Sequence, residues 1–90
     1  MAKIKLDELQ KEPSLIQLGR AIESQRKKAG LSQLRLGLLS GTTQSYICDL
    51  EAGRRNPSYL ILIRIANSLG CEVSYLCQLA ESFSSRDRAM

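Results

Sequence analysis

Residues 32–53 read SQLRLGLLSGTTQSYICDLEAG, and their pattern decides the fold. Ser32 is suited to cap a helix, because its hydroxyl can accept a backbone N–H left open in the first turn. The next eight residues, Gln33 to Ser40, carry helical apolar spacing and stop at Gly41, where a glycine supplies the left-handed turn that closes a helix. Thr43 can cap a second short helix, Gln44 to Ala52, with Ile47 and Leu50 on its buried side and Gly53 at its end. Gln44, Ser45, Cys48 and Asp49 fall on the other side, at spacings i, i+1, i+4 and i+5 that share one helix face. Two helices this short cannot bury a core alone. The chain supplies further helices on both sides.

Upstream, Ser14 with Gln17 three residues on reads as a capping box. The helix it opens carries an apolar stripe of Leu15, Leu18, Ile22 and Ala29, and Gly30 ends it. Arg26, Lys27 and Lys28 stand in its last turn, where cations suit the helix dipole. Downstream, RRNPS (residues 54–58) is a basic turn, and Pro57 and Ser58 open a fourth helix from Tyr59 to Leu69 that Gly70 closes. Ser74 can cap a fifth helix running to about Phe83. Gly37, inside the second helix, costs about 1 kcal/mol relative to alanine, which implies close approach by another helix. The expected organisation is an N-terminal arm over 1–13, a helical domain over 14–83 and a flexible tail over 84–90. No segment reads as strand, so the class is all-α.

Ninety residues allow a single domain. With 13 Lys+Arg against 9 Asp+Glu, the formal net charge is +4; this bias permits a polyanionic partner without requiring one. There is no histidine, and Cys48, Cys71 and Cys77 form no CxxC pair. A zinc site therefore lacks its ligand pattern, and the cysteines read as small apolar residues in a reducing compartment. The N-terminal MAKIKLDELQKEP is too polar for a signal peptide. No apolar run approaches the roughly 20 residues of a membrane span. No nucleophile has an adjacent base, no carboxylates cluster and no glycine loop can cradle a phosphate, so an enzyme, a metal and a cofactor are not expected.

With these residues in view, residues 15–79 resemble the Cro/phage-repressor, or XRE-type, helix-turn-helix family. The resemblance runs through GLSQ (Gly30 to Gln33), Leu36, Gly41, TTQSYI (Thr42 to Ile47), LEAG (Leu50 to Gly53), RRNPS (Arg54 to Ser58) and IANSLG (Ile65 to Gly70). Seven pieces in order and at the right spacing are far more specific than any one of them. Ser40 departs from the pattern, where an apolar residue is usual, and Gly37 stands where alanine is commoner. Asp49 is an unusual acid on the outward face. The fold implied is a compact five-helix bundle of the lambda-repressor-like DNA-binding type.

The family's arrangement places the third helix in the major groove. Gln44, Ser45, Cys48 and Asp49 are then the candidate base contacts. Gln44 can pair with both N6 and N7 of adenine, Asp49 can accept from cytosine N4, and Cys48 can touch a thymine methyl. Gln33, Arg35, Thr43, Tyr46, Arg54, Arg55 and Asn56 are the candidate phosphate contacts. In the family, a glutamine at position 33 also braces the first residue of the recognition helix. Tyr46 has an equal claim to a half-buried role that locks the third helix. The resemblance implies a structural salt bridge between Arg26 and Glu51.

Helix four is more apolar than a one-sided core helix needs. Leu62, Ile65, Ala66 and Leu69 suffice for the core at a 3.6-residue period, so Leu60 and Ile61, with Arg64, are read as a dimer interface. Tyr75, Leu76 and Leu79 of helix five form the rival surface, and packing under the arm or helix five is the plainer alternative. The function implied is sequence-specific double-stranded DNA binding by a homodimer on a palindromic operator. The chain would repress its own or nearby promoters in the cytoplasm, at the nucleoid of a bacterium or on behalf of a phage or mobile element. Two other readings stand beside it. One is an antitoxin or adaptor that binds a partner protein such as a toxin and uses DNA binding for autoregulation. The other is a controller of restriction–modification type that can also activate.

Overall fold

Helix boundaries follow from side-chain caps. The computed structural model describes residues 12–89, with side chains through residue 83. Its elements are α1 (Pro13–Lys28), α2 (Gln33–Ser40), α3 (Gln44–Glu51), α4 (Tyr59–Leu69) and α5 (Val73–Ala89), with no strand among the described residues. Ser32, Thr43 and Ser58 open α2, α3 and α4, accepting the backbone N–H of Arg35 at 3.0 Å, Tyr46 at 3.0 Å and Ile61 at 3.2 Å.

The outer helices depart from the sequence reading. Glu12, not Ser14, caps α1: its carboxylate accepts the Ser14 hydroxyl at 3.1 Å and the Ser14 N–H at 3.5 Å. Pro13 takes the first helical position, where its fixed φ and missing N–H cost nothing, so the helix begins before a Ser14 box can form. Residues 1–11 of the expected arm lie outside the described residues. At the other end α5 starts at Val73 and continues through the stretch expected as a flexible tail. SSRDRA holds neither glycine nor proline to stop it.

All five helices feed one core: Ile22, Leu36, Ile47, Leu50, Ile65, Ala66, Leu69 and Leu76. On α1 the buried set includes Gly19 and Ala21, whereas Ala29 is exposed. The α5 axis turns 93° from α4 and packs along α1. That turn carries Leu76 fully inside, at 0% exposure, so it is not part of an outer surface. Ile61 is half-buried. It packs against the core because it shares a stripe, at i+4 and i+8, with Ile65 and Leu69. The outward stripe of α4 is Leu60, Arg64 and Asn67.

Two glycines let the backbone itself make contact around α3. A Cβ on Gly37 would come within 2.7 Å of the Thr43 carbonyl carbon, at the start of α3. A Cβ on Gly19 would come within 2.5 Å of the Leu50 carbonyl oxygen and 2.6 Å of that of Glu51, at its end. The close approach inferred for Gly37 is thus to the turn and the first residue of α3. Ser40, 1% exposed, satisfies its hydroxyl by donating to the Leu36 carbonyl at 2.7 Å. It also lies 3.1 Å from the Thr42 hydroxyl.

The charged pair in the core joins three helices. Arg26 of α1 donates through Nε to Glu51 Oε2 at 2.6 Å and through Nη2 to Oε1 at 3.1 Å. Its Nη1 reaches the Leu31 carbonyl at 2.7 Å. Gln33 of α2 donates its amide to Glu51 Oε1 at 2.9 Å. The hydrogen bond to Glu51 holds the Arg26 pKa above its usual value against the opposing effect of burial. Among the described residues no buried side-chain nitrogen or oxygen lacks a partner.

Two stability outcomes follow from these contacts. Glu51→Gln leaves the buried Arg26 charge without its counter-ion, a loss of about 3–5 kcal/mol. The melting temperature should fall by about 12 °C or more, and a shift within a few degrees would mean that the pair holds nothing in place. Gly37→Ala gains about 1 kcal/mol of helix propensity but drives a methyl into backbone that cannot swing aside, at about 1–3 kcal/mol. Net destabilisation is expected in urea unfolding; a more stable variant would show that α2 and α3 can part freely.

Candidate nucleic-acid interface

Helix α3 presents one bare face. Gln44, Ser45 and Cys48 are exposed and Asp49 is half-buried beside them, while Ile47, Leu50 and Glu51 point inward. Thr43, also exposed, spends its oxygen on the cap and keeps its hydroxyl proton to donate. This row of amide, hydroxyl, thiol and carboxylate offers donors and acceptors in the mix that base edges need.

The turn that ends α3 shapes the rest of the surface. Gly53 takes φ +82°, its N–H bonds the Leu50 carbonyl at 3.1 Å, and the Arg54 N–H bonds back to the Asp49 carbonyl at 2.9 Å. The chain therefore doubles back, and the two arginines meet Asp49. Arg54 Nη2 lies 3.1 Å from Asp49 Oδ1, and Arg55 Nε lies 3.8 Å from Oδ2. The Arg55 guanidinium also sits over the Tyr46 ring, 5.3 Å from its centroid. Tyr46 packs half-buried on the core. Burial pushes its phenol pKa up and Arg55 partly opposes this, so the group stays protonated and can donate.

Arg35 on α2 and Asn56 in the basic turn are exposed, as are Arg54 and Arg55. Gln33 stands apart from this group. The structure gives its amide to Glu51, a link across 18 residues that the sequence reading did not find. The only available signal was the need of a buried carboxylate for more than one donor.

Away from α3, Tyr59 and Leu60 at the start of α4 are 70% and 55% exposed. Arg64 is exposed and Leu79 half-buried, and Tyr75 is exposed on α5. Arg64 lines a shallow hollow with Leu39, Asn67 and Ser68. Leu34, Leu38 and Leu39 of α2 are exposed as well.

Known proteins share this arrangement. The helix-turn-helix family model matches residues 22–76. The competence pilus inhibition repressor of Acinetobacter baylyi is 37% identical over 68 residues, 76% of this chain and 62% of that protein. The immunity repressor protein of Bacillus phage phi105 is 37% identical over 57 residues, 63% of this chain and 40% of that protein. The chain thus spans less than two thirds of the length of these relatives. Among solved structures, the clp gene regulator ClgR from Corynebacterium glutamicum superposes with a TM-score of 0.82 at 26% identity, covering 84% of this chain and 81% of that one. The restriction-modification controller protein C.AhdI from Aeromonas hydrophila gives a TM-score of 0.68 at 35% identity, covering 69% of this chain and 94% of that one. With its fold, the family match over residues 22–76 and these relatives all in agreement, the chain belongs to the helix-turn-helix family of the Cro/phage-repressor type, a family of DNA-binding transcriptional regulators.

Proposed function

We propose that the chain acts as a homodimeric repressor that reads a palindromic operator through α3. One observation carries the reading. A helix with a bare polar face, Gln44, Ser45, Cys48 and Asp49, is clamped at its far end by Arg26 and Gln33 through Glu51. A helix held at one end and exposing a polar face of donors and acceptors suits insertion into the major groove. Arg35, Thr43, Tyr46, Arg54, Arg55 and Asn56 surround it as phosphate contacts, which fix position without reading sequence. Phosphate attraction on this rim supports a cytoplasmic, nucleoid-associated location. The likeness to a restriction-modification controller favours a second reading, in which the same contacts also activate. The position of the operator relative to the promoter separates the two.

One short helix reads too few base pairs for operator-level affinity, so two copies are needed. Tyr59 and Leu60, with Arg64 next on the same side, form the apolar contact assigned to the pairing. Ile61, half-buried against the core, offers the pairing less surface than Leu60.

Base reading is measured with an operator selected by the wild-type protein from a random duplex pool. Gln44→Ala should lose about 1–3 kcal/mol on that operator and relax the preference at one base pair per half-site. Equal losses on operator and arbitrary duplex would exclude base reading by this residue. Pairing is measured by sedimentation. Leu60→Asp sets a charge on both copies at once, because a two-fold interface repeats every residue. A folded monomer with weak operator binding is expected; a dimer as tight as wild type would move the interface to Tyr75 and Leu79.

A further inference from the structure

We propose that Asp49 sets specificity by restraining Arg54 and Arg55, so that contact with arbitrary duplex is penalised and only a base with an amino donor offsets the penalty. The inference rests on the DNA-binding reading above and concerns how that surface tells one duplex from another.

Each carboxylate oxygen serves a different arginine: Oδ1 takes Arg54 Nη2 at 3.1 Å, and Oδ2 lies 3.8 Å from Arg55 Nε. The arrangement is built into the chain path. The Arg54 N–H is bonded to the Asp49 carbonyl, so the first arginine starts beside the acid, and stacking on Tyr46 keeps the second there. Both cations of the basic turn are thereby folded onto the bare face of α3. Ion pairs this exposed contribute little to stability. Their effect is on what the surface can bind.

On any duplex the phosphates compete for the two arginines. Drawing them away strips Asp49 of both partners as it enters the groove and loses water, and an unpaired desolvated carboxylate is costly. Most atoms on the major-groove edge are acceptors (guanine O6 and N7, adenine N7, thymine O4), and these repel it. Cytosine N4 and adenine N6 carry donors that can replace the lost arginines. The penalty is therefore common to all sequences, and its relief is confined to sites with an amino group opposite position 49.

The test measures binding to a labelled random-sequence duplex and to the selected operator across a salt series. The variants are Asp49→Asn, Asp49→Glu, and Asp49→Asn combined with Arg54→Ala and Arg55→Ala. Asp49→Asn should bind the random duplex about three- to tenfold more tightly, since a repelling charge has gone. Its log K against log salt should steepen by up to about one unit, as the freed arginines release counter-ions. The operator-to-random ratio should fall. Asp49→Glu keeps the charge and should not show the gain, and the variant that also lacks Arg54 and Arg55 should lose it. An Asp49→Asn protein indistinguishable from wild type on random duplex, or one that gains equally on the operator, would overturn the inference. A wild-type protein that binds no duplex at all would overturn the DNA-binding reading as well, so the two failures are told apart by the wild-type titration.

Discussion

The buried contact between Arg26 and Glu51 is the constraint on which the arrangement of this molecule depends. Helix α3 has eight residues, too few to hold a position by its own hydrogen bonding. Its last residue is an acid, which the negative end of the helix dipole disfavours. Burying that acid without a partner would be worse still. Arg26 resolves both problems through two bonds to the carboxylate, while its third nitrogen holds the Leu31 carbonyl in the loop. Gln33 adds a bond from the start of α2. A single carboxylate thus ties α1, α2 and α3 at one point, and the angle of α3 follows from where that point lies.

The same contact links scaffold to surface. Glu51 faces inward, and two residues earlier Asp49 faces out. The first carboxylate is enclosed by donors and fixed; the second is held by two exposed arginines that other anions can draw off. One short helix therefore carries a permanent charge pair on its inner side and an exchangeable one on its outer side. Its pose is settled before any partner arrives, while its outer electrostatics remain responsive.

Much of this was legible in the sequence because it is written in local rules. Ser32, Thr43 and Ser58 mark helix starts through a hydroxyl three residues ahead of the N–H it accepts, and Gly41, Gly53 and Gly70 mark the stops. Those signals place α2, α3 and α4, and with them the outward row on α3. What was not legible depends on angles between helices or on chain reversal. Leu76 and Leu79 look alike in sequence, and only the right-angle turn into α5 sends the first inside. Ile61 reads as outward because four other residues suffice for the inner side of α4, yet it packs half-buried against the core. Ser14 made a better cap by residue type than Glu12, until Pro13 is counted as a helix starter. The meeting of Asp49 with Arg54 and Arg55 crosses a helix end, where neither the helical nor the extended period applies. Gly19 has no local signature, since its need is set by carbonyls more than thirty positions away.

That glycine has a consequence for how such a protein can change. At Gly19 and Gly37, α3 is seated by main chain against main chain, at points that no substitution on its outer face can disturb. Its inner side chains, Ile47 and Leu50, are wholly enclosed. The outer ones bear almost no part of that seating. Gln44, Ser45 and Cys48 can therefore be exchanged for other residues while the frame that presents them stays as it is. On the proposed reading, the molecule separates the part that must be kept from the part that carries the message, and a new address could be written into the second with no revision of the first.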